Sequence, residues 1–87
     1  MSEDRTDPGG RFRDFVALIA RLRAPGGCPW DREQTHESLK PMTIEEAYEV
    51  LEAIDRHDHD GLREELGDFL LQAVFLAELE AEAGFVG

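Results

Sequence analysis

Apolar residues recur at helical spacing in three stretches of this chain. The first runs through Phe12, Phe15, Val16, Ile19 and Leu22, with Leu18 beside them, and predicts a helix from about Gly10 to Arg23. Ala24-Pro25-Gly26-Gly27-Cys28-Pro29 then breaks the pattern, because two prolines and two glycines disfavour continued helix. A short helix is expected over Arg32–Leu39, capped by Asp31 with Gln34 three residues on, and ending before Pro41. The second long pattern follows, with Thr43 as its expected cap and Glu46 completing a capping box. Ile44, Ala47, Tyr48, Val50, Leu51 and Ile54 form its expected buried side, and it should end near Arg56.

The third pattern predicts a helix from about Gly61 to Ala83, capped by Asp58 or Asp60 and stopped by Gly84. Phe69–Leu79 is apolar nearly all round, so one neighbouring helix cannot cover it. The expected fold is therefore all-α, a helical bundle completed by dimerisation. Residues 1–9 read as a disordered leader and residues 10–87 as a single domain.

The charges on these helices suggest chemistry. From Pro41 to Asp55 there are five acidic residues and no Lys or Arg. Glu46 and Glu49 share a helix face, Glu45 lies one turn before Glu49, and Glu65 and Asp68 form a similar pair on the third long helix. If those helices pack antiparallel, four carboxylates converge where a hard divalent cation would fit. The bland alternative is that acids suit a helix N-terminus, which covers Glu45 and Glu46 but not Glu49 and Glu52. Asp68 sits among Leu66, Phe69 and Leu70, where an unpaired carboxylate is costly.

Composition narrows the partners. With 20 acidic and 9 basic residues the net charge is −11, which argues against binding a nucleic-acid polymer. A phosphate-bearing substrate is compatible with that charge only through a cation. Cys28 is the only cysteine, so no intrachain disulfide forms, and it reads as a structural loop residue rather than a nucleophile. No membrane span or signal-peptide core is expected, and a cytoplasmic protein is the default.

Gly27-Cys28-Pro29-Trp30-Asp31, Gln34-Thr35-His36-Glu37-Ser38-Leu39, Glu45-Glu46-Ala47-Tyr48-Glu49 and Glu64-Glu65-Leu66-Gly67-Asp68, in that order, resemble the MazG family. The resemblance implies an all-α nucleoside triphosphate pyrophosphohydrolase that uses Mg²⁺, with Mn²⁺ as an alternative. Such enzymes release a nucleoside monophosphate and pyrophosphate from surplus or non-standard nucleotides. By that similarity Glu46, Glu49, Glu65 and Asp68 are metal ligands, and Glu45 is a further ligand or activates water. Glu45 and Glu49 are the expected catalytic pair.

Substrate contacts are expected from Trp30, Gln34, His36 and Lys40. Trp30 either stacks on a base or plugs the bundle end. The resemblance favours Gln34 and His36 near the nucleotide. Lys40 is either a phosphate contact or a solvated lysine. His57 and His59 could hint at a second metal site, but an exposed polar turn is the preferred reading.

Family members often carry a histidine near Leu76 and continue past the equivalent of Gly87 into a helix and a basic segment. This sequence reads as a compact relative, a truncated piece, or a half with weakened catalysis. Two other functions therefore compete. One is a catalytically weak nucleotide- or metal-binding module, the other a phosphoribosyl-ATP pyrophosphohydrolase.

Overall fold

A computed structural model describes residues 7–84 of the chain. These form four helices: α1 (Pro8–Arg23), α2 (Pro29–Glu33), α3 (His36–Asp55) and α4 (His59–Glu82). No strand occurs among the described residues. None of these helices is long and apolar enough to cross a membrane. The chain divides into two compact units at the Glu33/Gln34 boundary.

In the first unit, α1 starts two residues earlier than its apolar pattern predicts. The Asp7 carboxylate accepts the Gly10 N–H at 3.1 Å, and Pro8 occupies the first turn, where its missing N–H costs nothing. The expected leader thus gives way to helix at Pro8, and its residues 1–6 lie outside the described part. Ile19 is 2% exposed, while Phe12 and Leu18 stay exposed. Arg21 and Arg23 close α1, where cations suit the helix dipole.

The turn that follows folds tightly back on α1. A Cβ at Gly27 would lie 2.4 Å from the Leu22 carbonyl oxygen, so only glycine fits there. Arg23 Nη1 donates to the Asp31 carbonyl at 2.6 Å and ties α1 to α2.

The predicted Arg32–Leu39 helix is replaced by a different division. α2 begins at Pro29, so Asp31 is inside it rather than capping it. The next helix starts at His36 and runs through Pro41 without a break. Its cap is Thr35: Thr35 Oγ1 accepts the Ser38 N–H at 3.1 Å, and Ser38 Oγ accepts the Thr35 N–H at 2.9 Å. This reciprocal pair satisfies two otherwise orphaned donors.

Pro41 lies at the sixth residue of α3, where only the carbonyl of exposed Glu37 loses its helical partner. Thr43 is therefore mid-helix, not a cap. Its hydroxyl shares its proton between the Leu39 carbonyl, at 2.9 Å, and Gln72 Oε1 on α4, at 3.0 Å.

α3 and α4 form an antiparallel hairpin closed by a three-residue turn. His57 takes the left-handed conformation (φ 56°), and the Asp58 N–H donates to the Ala53 carbonyl at 3.0 Å. Asp58 then caps α4 by accepting the Gly61 N–H at 2.9 Å. At the far end Gly84 (φ +85°) follows the last turn, as expected.

Leu39, Ala53, Val74, Phe75 and Leu79 are buried in this second unit. Within the single chain the expected buried side of α3 is left largely uncovered: Ile44, Tyr48, Leu51 and Ile54 are exposed, Tyr48 by 66%. The reason is rotational. With two helices, α3 turns Leu39, Glu46 and Ala53 inward, and its apolar stripe lies to one side of that contact. On α4, Leu66, Phe69 and Leu70 are exposed as well.

Charge divides with the units. Residues 1–33 carry six acidic and six basic residues, whereas residues 34–87 carry 14 acidic and three basic, or −11.

Candidate metal centre

The hairpin brings its acids together. α3 places Glu46 and Glu49 on adjacent turns of one face, and α4 supplies Glu65 from across the contact. One carboxylate oxygen from each lies within 4.8 Å of the other two. Glu46 Oε2 is buried and has no hydrogen-bond partner. The ion pairs Arg56–Glu52, Arg63–Asp60 and His36–Glu80 all use other carboxylates.

Crowding of like charge shows in the proton affinities. Burial, followed by hydrogen bonding to Glu65 and the charges of Glu65, Glu49 and Asp68, pushes Glu46 up to about 7. The Glu65 charge is also the main cause that raises Glu49, with Glu45 adding to it. An orphaned buried oxygen beside two further carboxylates fits a hard divalent cation, which prefers oxygen donors. Lysine or arginine would relieve the same repulsion, but no such partner reaches Glu46, Glu49 or Glu65 among the described residues.

The other anticipated residues fall in three places. Asp68 is one turn beyond Glu65, near enough for its charge to act on Glu46 but outside the group of three. Glu45 is exposed on the flank of Glu49. His36 and Lys40 line a groove of about 400 Å³ between α3 and α4, with Thr43, Ile44, Phe69 and Leu76. Gln34 accepts the Ser38 hydroxyl at 2.7 Å beside the start of α3. Trp30 belongs to the first unit and is 57% exposed. The His57–His59 turn is not among the metal-competent groups of the described residues.

Two residues were missed from the sequence. Glu80 pairs with His36, and Gln72 meets Thr43. Both follow from the antiparallel register of the hairpin, which sets Thr43 opposite Gln72 and His36 opposite Glu80.

Residues 34–86 match the MazG nucleotide pyrophosphohydrolase domain. The chain belongs to the MazG family. The MazG match begins at Gln34, where the second compact unit also begins. It contains both acid-bearing helices.

Individual relatives extend the likeness into the first unit. The chain is 54% identical over 78 residues to the nucleoside triphosphate pyrophosphohydrolase/pyrophosphatase MazG of Thermotoga maritima, covering 90% of this chain and 31% of that protein. It is 54% identical over 71 residues to the nucleoside triphosphate pyrophosphohydrolase of Escherichia coli K12 (80% and 27%). It is 48% identical over 83 residues to the enzyme of the same name from Mycobacterium tuberculosis (95% and 25%). The chain thus spans less than a third of the length of these MazG relatives.

Proposed function

We propose that this MazG-family chain hydrolyses nucleoside triphosphates to nucleoside monophosphate and pyrophosphate, with Mg²⁺ bound by Glu46, Glu49, Glu65 and Asp68. The supporting observation is the buried, unpartnered oxygen of Glu46 set among other carboxylates. The names of the relatives support the substrate class.

Bound there, Mg²⁺ or Mn²⁺ would neutralise phosphate charge and acidify a water. Glu45 takes the proton of the attacking water, and Glu49, already raised in proton affinity, is the second candidate base. Water adds to the α-phosphorus as the bond to the β-phosphate oxygen breaks. Lys40 holds a phosphate and Gln34 and His36 meet the nucleoside; Trp30, in the first unit, is a separate candidate for stacking on a base. Such an enzyme clears surplus or non-standard nucleotides from the cytoplasm.

A second copy of the chain is the proposed cover for the exposed stripe of α3 and α4. Each large apolar side chain gains about 1.5–3 kcal/mol on full burial, so leaving Ile44, Leu51, Ile54, Leu66, Phe69 and Leu70 wet is expensive.

The deciding experiment measures pyrophosphate release from a panel of NTPs and dNTPs with Mg²⁺, then repeats it with Glu49→Ala and Asp68→Ala. Equal activity in wild type and both variants would rule out the assigned centre.

A further inference from the structure

We propose that Glu80 is a positioning residue which sets the face that His36 offers to a nucleotide. This rests on the reading that the α3–α4 groove receives the nucleoside triphosphate. His36 Nε2 and Glu80 Oε1 are in direct contact across the hairpin. An ionised carboxylate can only accept a hydrogen bond, so the proton of that contact sits on Nε2. Nδ1 is then the one hydrogen-bonding ring atom left for a ligand, and in the neutral ring it is an acceptor.

The groove gives that choice a consequence. Lys40 follows His36 by one turn on the same wall, and it is the cation available to an anionic group there. In the neutral ring, with Nδ1 as acceptor, His36 is matched instead to a donor, such as a sugar hydroxyl or a base amino group. The two side chains therefore discriminate: phosphate towards Lys40, nucleoside donor towards His36. Without Glu80 the imidazole could rotate or exchange tautomers, and an N–H would compete for the same place. The side chains of the pair are 44% and 39% exposed, so they stand at an edge that a ligand can reach.

The 87-residue chain is compared with Glu80→Ala and Glu80→Gln in two measurements. Nitrogen NMR at pH 8 reads the His36 tautomer. Titration with an α,β-methylene nucleoside triphosphate and Mg²⁺ reads binding, alongside kcat and KM for the hydrolysable nucleotide.

The wild type should carry its proton on Nε2. Glu80→Ala should give mixed tautomers, with Kd and KM raised roughly five- to tenfold and kcat within about twofold. Glu80→Gln should restore both, because its amide oxygen still accepts from Nε2–H.

A wild-type proton on Nδ1 would overturn the proposal. So would a tautomer that shifts in Glu80→Ala while Kd and KM hold, since the pair would then be merely structural. A wild type that neither binds the analogue nor turns over would remove the nucleotide reading and this proposal together. The NMR result would then show whether the pair itself stands.

Discussion

Glu46 on α3 and Glu65 on α4 meet across the hairpin, and Glu46 keeps its second oxygen buried without a partner. Burial and the Glu65 contact raise Glu46 from 4.5 to about 7. The folded, metal-free chain therefore holds a proton that the unfolded chain releases above pH 4.5. Its stabilising effect is complete below pH 4.5 and is lost as pH rises through 7. Thermal melts in chelator should show Tm falling between pH 5 and 8, and Glu46→Gln should flatten that slope.

On the proposed reading, Mg²⁺ would compete with the same proton. Its apparent affinity should climb by up to about tenfold per pH unit below 7, then level off. Titration calorimetry in buffers of different ionisation enthalpy would detect the released proton.

Removing single carboxylates should separate site from surface. Glu49→Ala and Asp68→Ala should each lower pyrophosphate release at least about a hundredfold, as loss of a metal-site group commonly does. Glu64→Gln alters an exposed residue beside Glu65 and should stay within about twofold of wild type. Circular dichroism of each variant distinguishes lost chemistry from lost fold.

The start of α3 can be tested from both sides. Thr35→Ala removes the capping box and should cost about 1 kcal/mol in urea unfolding. Pro41→Ala restores an N–H inside the helix and should be stabilising by about 1 kcal/mol. His57→Gly should also stabilise by about 1 kcal/mol, since a side chain at φ 56° is strained and glycine is not.

The apolar stripe gives a prediction about assembly. Leu51→Lys should shift the sedimentation coefficient from that of a dimer or larger species towards monomer. It should leave the helix content of the hairpin intact.

The long helices were legible because their signals are local. The spacing of Phe12 to Leu22 located α1, and Asp58 and Gly84 marked the limits of α4. The acid cluster was legible for the same reason, as Glu46 and Glu49 must share a face. The boundary at Pro41 was misread because proline is a strong stop signal in isolation. Near the first turns it costs one bond to an exposed carbonyl, and Thr35 with Ser38 anchors the helix before it. Glu80 stayed invisible because its partner is 44 residues away and the pairing needs the hairpin register. The apolar stripe of α3 is only partly covered within one chain because a single neighbouring helix meets just the side that carries Leu39, Glu46 and Ala53.

Residues 34–87 carry the whole net charge of −11, and this has an effect on how copies would meet. Two such hairpins repel at low ionic strength, and counterions must gather before their greasy flanks can touch. Dilute buffer should accordingly keep them apart while millimolar divalent salt draws them together, so under the proposed reading one dissolved species would govern both encounter and chemistry.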